Sequence, residues 1–378
     1  MINILEYVTT GMGDGGAETL IKDYALLLDK SKYNVIIVTI GPLKIDSANY
    51  RRLIDANIKI ISIYEHPKVF RSWVIQKIWN RCFHKRYVYR KLLHIIRKYN
   101  IDVLHAHLEV LYSLVPISHK LNGIKLLWTC HNQPNIIFKP TKWESEEKSA
   151  RYLIKHNNMQ MIALHEEMKE ELNKRFSVNN TTVIHNGINF ESFRNVSESI
   201  SEIRNSILIP NEAYVVGHVG RFTEAKNHLF LVDIFCEVLK QRPNAHLLMV
   251  GAGDLREATE SKLQNLGLNG KYTILSHRTD IPRLLKAMDV FVFPSKFEGL
   301  PVSMVEAQVA GLKTVASKNI TWECFFLRNA ISLSIEDSPI TWANTILDEN
   351  ASSGCHNDIE LFDMSKEIIR LGQLYEKD

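Results

Sequence analysis

The 378-residue chain is long enough for two domains of ordinary size, and 45% hydrophobic with 23% charged residues describes a globular protein rather than a disordered one. A formal net charge of +4 is too small to mark a nucleic-acid binder, and five scattered cysteines without C-x-x-C spacing exclude a disulfide framework and a structural zinc site. The first residues enter a strand-like run with no signal-peptide pattern, and no apolar stretch reaches the roughly 18 residues that span a bilayer, so a cytoplasmic protein is expected.

Val- and Ile-rich runs alternate with helical patterns along the chain. In order, strands are predicted at Ile2–Val8, Asn34–Ile40, Ile58–Tyr64, Asp102–Ala106, Lys125–Cys130, Gln160–Ala163 and Thr182–Ile184. Further strands follow at Tyr214–Gly220, His246–Val250, Tyr272–Leu275, Val290–Phe293, Thr314–Ala316 and Ala330–Leu333. Nearly continuous hydrophobic strands separated by helices call for parallel sheets covered on both faces. These are too many strands for one sheet of ordinary width, so the expected fold class is α/β with two Rossmann-like doubly wound domains. The break is expected between Asn186 and Glu212, where a polar run ends at Pro210-Asn211. This places one domain over residues 1–190 and a second over 191–350. A terminal helix, read over Ile359–Tyr375 within a 351–378 tail, is expected to pack back toward the first domain.

After the first strand comes Thr10-Gly11-Met12-Gly13-Asp14-Gly15-Gly16-Ala17-Glu18, followed by an amphipathic helix through Leu28. Gly11, Gly13 and Gly16 match G-x-G-x-x-G in strand–turn–helix context. The acid that a dinucleotide site needs about 20 residues on is missing, because the second strand ends in Gly41-Pro42-Leu43, so a nicotinamide cofactor is not expected. The loop still offers close backbone approach and helix-terminal amides to an anion, with a plain β–α turn as the alternative.

In the second domain, Val219-Gly220-Arg221-Phe222-Thr223-Glu224-Ala225-Lys226-Asn227 sets two cations beyond the carboxyl end of a strand, the edge where ligands sit in open α/β sheets. Arg221 offers a planar fork to phosphate and Lys226 a point charge. The strand Val290–Phe293 leads into Pro294-Ser295-Lys296-Phe297-Glu298-Gly299-Leu300-Pro301, and a helix is predicted from near Pro301 to near Gly311. Gly299 and Leu300 bring backbone amides to its start. Glu298 on the loop and Glu306 in the helix are acceptor-only groups suited to the vicinal diols of sugars.

The run Glu298-x7-Glu306 resembles the E-x7-E signature of GT-B glycosyltransferases, specifically the large retaining family four (group 1) enzymes. Other segments are similar to that family in the same order: Gly13–Glu18, Thr129-Cys130-His131-Asn132, Val183–Ile188, Gly217–Asn227 and Val250–Asp254. The resemblance covers about residues 2–325. It implies an N-terminal acceptor-side domain and a C-terminal nucleotide-sugar domain, facing across a cleft. It also implies that Arg221 and Lys226 neutralise the diphosphate, Glu306 holds the ribose, Glu298 contacts the transferred sugar, and the Gly299 and Leu300 amides meet the distal phosphate. Gly13, Gly15 and Gly16 would approach the donor, His131 the sugar, and Arg278 the base. Two departures stand out: His277 where the family usually has Gly, and Thr321-Trp322-Glu323 where a Gly-Gly-x-x-E-like turn is common.

No Asp-x-Asp occurs, so no ligand pair for a catalytic divalent cation is expected. The expected activity is a metal-independent, retaining, hexosyltransferase-type transfer from a UDP- or GDP-sugar to a saccharide or lipid-linked acceptor in surface polysaccharide biosynthesis. The nucleotide-sugar is a substrate, and no cofactor is expected. A glycoside hydrolase also needs two carboxylates, but flanking one bond and without the cationic pair. A nucleotide-sugar epimerase on the same fold and a non-catalytic saccharide-binding protein are the other readings. Residues 66–100 carry ten Lys/Arg and no Asp/Glu, interleaved with aromatics, which suggests an anionic membrane surface as partner and no nucleic acid. An ordinary helix pair with a solvated basic face is the alternative. His105 and His107 read as structural, with no acid cluster beside them to suggest a metal.

Overall fold

The computed structural model describes residues 1–64, 84–138, 144–352 and 358–376. The chain forms two compact units, one of Met1–Asn186 with Ser365–Asp378, the other of Gly187–Met364.

The first unit is built on seven parallel strands: β1 (Ile2–Val8), β2 (Tyr33–Thr39), β3 (Lys59–Ser62), β4 (Val103–His107), β5 (Lys125–Thr129), β6 (Gln160–Ala163) and β7 (Thr181–Val183). Their order across the sheet is β3-β2-β1-β4-β5-β6-β7. The second unit carries β8 (Tyr214–Val219), β9 (Ala245–Val250), β10 (Tyr272–Leu275), β11 (Val290–Phe293), β12 (Lys313–Ser317) and β13 (Ala330–Leu333), in the order β10-β9-β8-β11-β12-β13. All thirteen predicted strands are present, with ends shifted by a residue or two. In each sheet the strand order reverses once, between β1 and β4 and between β8 and β11. The loops leaving those strands therefore flank a crevice at the carboxyl edge, where an open α/β sheet binds ligands.

Local sequence explains the helix starts. Ser47, Ser199 and Ser338 each accept a hydrogen bond from a first-turn amide, and Ser199 with Glu202 completes a reciprocal capping box. In the second unit, Leu231, Phe235 and Val238 from the helix His228–Gln241 pack with Trp342, Ala343 and Ile346 from Pro339–Leu347 over the strand residues Val216, Leu247 and Val292. Burial of each large side chain stabilises the unit by roughly 1.5–3 kcal/mol. The indole Nε1 of Trp342 donates to the Ser334 carbonyl at 2.9 Å, so this ring carries no unmet donor into the core.

The terminal segment differs from the single helix that the sequence suggests. A 3-10 turn, Ile359–Phe362, precedes the helix Met364–Glu376, and Asp363 between them forms a parallel bridge with Ile188. Ile188 N donates to Phe362 O at 2.8 Å and Met364 N to Ile188 O at 3.2 Å, pinning the chain in an extended step that interrupts the helix.

Of the aromatic, basic 66–100 run proposed for a membrane surface, residues 66–83 lie outside the described residues. Its described remainder is the helix His84–Lys98, which buries Val88, Leu92, Ile95 and Ile96 against its own unit. Among the described residues no helix is long and apolar enough to cross a membrane.

Candidate functional site

In the second unit, the loop after β8 is held from both sides. Gly220 N donates to Val250 O at 2.9 Å and Phe222 N to Ala252 O at 3.0 Å, drawing the Arg221 segment against the chain leaving β9. This approach requires glycine at 251, because a β-carbon there would lie 2.0 Å from the Gly220 oxygen. On the other side, Lys296 N donates to Ala225 O at 2.8 Å and Asn227 Nδ2 to Pro294 O at 3.2 Å. The loops after β8 and β11, some seventy residues apart in sequence, are thereby one piece of structure.

That piece carries the predicted cations and acids. Lys226 Nζ lies 2.7 Å from Glu298 Oε1 and 4.5 Å from the centre of the Phe293 ring, with only 16% of the lysine side chain and 13% of the glutamate exposed. Lys226 and Glu298, which the sequence assigns separate tasks, are thus an ion pair seated on an aromatic face. Arg221 is exposed on the same loop and makes no ion pair among the described residues. Glu306 is half-buried in the helix Val302–Val309. The amides of Gly299 and Leu300, just before this helix, make no hydrogen bond to protein among the described residues and remain available to an acceptor. Gln308 fastens the helix to the next segment, its Nε2 donating to Cys324 O at 2.6 Å and its Oε1 accepting from Phe326 N at 3.1 Å.

Beneath the cationic loop lie two histidines that the sequence does not single out. His218 donates from Nδ1 to Val292 O at 2.9 Å, and His228 stacks on Phe222 with ring centres 4.0 Å apart. Burial, foremost, pushes His218 down to about 4 and His228 to about 2, with the Lys226 charge adding to both. Both imidazoles are therefore neutral at physiological pH and add no competing positive charge below Lys226.

Arg278 sits on the loop after β10, its guanidinium held fork to fork by Asp280 at 2.7 and 2.5 Å. The Nε–Nη2 edge of the guanidinium is thereby committed, and the planar face is what it can offer a base by stacking. His277 stands at φ +54°, in the left-handed region that glycine enters without strain, which accounts for the glycine usual there in the resembling family.

In the first unit, Gly11 lies so close to the loop after β2 that a β-carbon would sit 1.7 Å from Pro42 O. Ser47 Oγ donates to Met12 O at 2.6 Å and Asn49 Nδ2 to Gly13 O at 2.8 Å, fixing the turn. Gly15 and Gly16 open the helix Gly16–Leu27, and the space around a β-carbon at Gly16 is empty to 4 Å.

His131, just past β5, touches a group that the sequence reading did not assemble. Its Nε2 is 2.8 Å from His107 Nδ1, and His107 Nε2 is 2.6 Å from Glu6 Oε2. Tyr375 O–H donates to Glu6 Oε1 at 2.9 Å and its oxygen lies 2.7 Å from His105 Nδ1. His105 Nε2 is 2.7 Å from Thr129 Oγ1. Where the sequence offers no acid cluster beside His105 and His107, the fold brings in one acid, Glu6, fully buried between them. The ligand-type atoms of Glu6, His105 and His107 lie within 4.8 Å of one another, yet each is already engaged in a hydrogen bond. The 2.6 Å contact is that of a charge-assisted hydrogen bond.

Two family profiles cover the chain in sequence. The family described as Glycosyltransferase Family 4 matches residues 14–192, and that described as Glycosyl transferases group 1 matches residues 199–331. EpsF of Bacillus subtilis (strain 168) is 26% identical over 348 residues, 90% of this chain and 86% of its own. The UDP-Gal:alpha-D-GlcNAc-diphosphoundecaprenol alpha-1,3-galactosyltransferase of Escherichia coli is 28% identical over 303 residues, 75% of this chain and 77% of its own. Among solved structures, Anabaena Alr3699/HepE in complex with UDP and glucose superposes with a TM-score of 0.76 at 20% identity, covering 99% of each chain. The two parallel sheets are those of the GT-B fold, and with both halves matched in order the chain belongs to the group 1 glycosyltransferases.

Proposed function

We propose that the enzyme transfers a hexose from a nucleoside-diphosphate sugar, UDP- or GDP-linked, to a saccharide or lipid-linked acceptor, with retention of configuration and without a metal ion. The observation that carries this reading is the fusion of a cationic loop to a carboxylate-bearing element at the switch point of the second sheet. Arg221 and Lys226 stabilise the departing diphosphate, and the Gly299 and Leu300 amides bind its distal phosphate. Glu306 holds the ribose hydroxyls, Glu298 the hydroxyls of the transferred sugar, and the face of Arg278 the base. In the first unit Gly13, Gly15 and Gly16 serve the donor, and His131 a sugar hydroxyl. The Lys226–Glu298 pair argues against a hydrolase: Glu298 is engaged with a lysine at 2.7 Å on the cationic loop, whereas a hydrolase needs two carboxyl groups flanking one bond.

The E. coli relative, whose name gives a UDP-sugar donor and a diphosphoundecaprenol-linked acceptor, supports a role in surface polysaccharide synthesis. A lipid-linked acceptor would be met at the inner face of the membrane, and the basic 66–100 segment suits attachment there. Proton NMR of the product in its first minutes tests the reaction. The α-anomeric donor should yield an α-glycoside at an unchanged rate in EDTA. A β-product, or isomerised nucleotide-sugar formed without acceptor, would replace this reading with an inverting transferase or an epimerase.

A further inference from the structure

We infer that Glu6 is a positioning residue: through His107 it locks His131 in a single tautomer, with the Nδ1 lone pair presented to a hydroxyl of a bound saccharide. This rests on the reading of His131 as a sugar-side residue.

The topology assembles the group. Parallel pairing sets Glu6 opposite His105 and Val8 opposite His107, with His107 opposite Thr129 on β5. Residues two apart on a strand share a face, so Glu6, His105, His107 and Thr129 all project to one side of the sheet. Tyr375 from the terminal helix closes over that face, and Tyr24 from the first helix stacks on His105 with ring centres 6.3 Å apart. Glu6, His105 and His107 are completely buried.

The protons can be placed one by one. Burial alone would raise the Glu6 carboxyl, but the imidazoles of His105 and His107 outweigh it and hold the group well below the usual carboxylate range. As a carboxylate it only accepts, so His107 Nε2–H must donate to Oε2 and Tyr375 O–H to Oε1. Burial, then His105, pushes His107 down to about 4, so it is neutral, and its Nδ1 is an acceptor. Among the described residues the atom hydrogen-bonded to that acceptor is His131 Nε2, at 2.8 Å, which must therefore carry hydrogen. His131 is held well below the usual imidazole range, by burial first and then by His107, so its Nδ1 carries none. Nδ1 makes no hydrogen bond to protein among the described residues. On the other arm, the Tyr375 hydrogen is given to Glu6, so His105 Nδ1, 2.7 Å from the Tyr375 oxygen and 3.3 Å from Glu6 Oε2, carries hydrogen, and His105 Nε2 meets Thr129 Oγ1 at 2.7 Å. Every donor meets an acceptor in this arrangement, and reversing the His131 tautomer would set two lone pairs against each other at 2.8 Å.

The test is the tautomer itself. In the full chain labelled with 15N-histidine, His131 assigned by loss of its signals in His131→Asn should show hydrogen on Nε2 and a bare Nδ1 throughout pH 6–8. Hydrogen on Nδ1, or a doubly protonated ring in that range, would overturn the inference. Glu6→Gln should mix the two His131 tautomers and lower kcat for donor turnover roughly 10- to 100-fold with KM changed less than threefold. Tyr375→Phe removes a bond to the same carboxylate but keeps its charge, so it should lower thermal stability while the His131 tautomer stays single. Equal tautomer mixing in both variants would assign the effect to lost packing and overturn the relay. A wild-type chain that turns over no nucleotide-sugar would count against the functional reading alone, since the NMR signals report the relay regardless.

Discussion

Replacing Lys226 with Met keeps the apolar stem of the side chain and removes the ammonium, with its charge and its contact to the Phe293 ring. Two losses follow. Glu298, 13% exposed and 2.7 Å from the ammonium, is left as a poorly hydrated carboxylate without its partner. Breaking a fully buried pair costs about 3–5 kcal/mol, and the remaining solvent access here reduces this to about 1–3 kcal/mol. In the proposed reaction the same charge stabilises the diphosphate as it leaves, and loss of one preorganised contact of that kind lowers kcat about 100- to 1000-fold. Urea denaturation measures the first effect and donor hydrolysis at saturating nucleotide-sugar the second. The double variant Lys226→Met/Glu298→Gln separates them, because removing the stranded charge should restore at least about 1 kcal/mol of stability and none of the turnover. A Lys226→Met enzyme that is destabilised as expected yet turns over within threefold of wild type would refute the assignment of Lys226 to the leaving group.

Arg221 is exposed and unpaired among the described residues, so Arg221→Met should change stability by less than about 0.5 kcal/mol while lowering turnover about 100-fold; parallel unfolding and kinetic measurements check this. Gly251→Ala forces a β-carbon against the Gly220 oxygen, and a denaturation midpoint shifted to lower urea with weakened nucleotide binding is expected as the Arg221 loop is displaced. Stability should also depend on pH in two opposite directions. Burial pushes the Glu146 carboxyl up to about 7 from 4.5, so the folded chain keeps a proton that the unfolded chain loses, and stability falls by roughly 3 kcal/mol as pH rises across that interval. His218, pushed down to about 4 from 6.5, stays neutral in the fold while the unfolded chain takes up a proton, so stability falls by roughly as much when pH drops through that range. Unfolding free energies at pH 4–8 for wild type and Glu146→Gln test the first slope, which the substitution should abolish.

The strands were legible because parallel sheets bury both faces, which leaves runs such as Val290–Phe293 uninterrupted by polar residues. The functional loops were legible for a related reason: glycines and charges cluster where those runs stop. What depends on register was not. Glu6 reads as a single acid in a mostly apolar strand, and its partners come from β4 and from a helix 369 residues further along. Nor does any local signal couple Lys226 to Glu298, since their contact follows from how the loops after β8 and β11 are stitched together. The terminal helix was predicted too long because helical periodicity runs through Asp363, whereas the backbone there is claimed by the bridge to Ile188. His277 shows the converse: the departure from glycine was visible, and the positive φ that explains the usual glycine was not.

The claim at the centre of this account is that the second unit binds a nucleoside-diphosphate sugar through Arg221, Lys226 and the Glu298–Glu306 element. Calorimetric titration of wild type and Lys226→Met with UDP-, GDP- and ADP-sugars tests it most directly. One base should bind selectively to wild type, with affinity at least tenfold weaker in the variant and falling as salt rises. Equal affinity in the two proteins, or no binding of any nucleoside-diphosphate sugar to wild type, would contradict it.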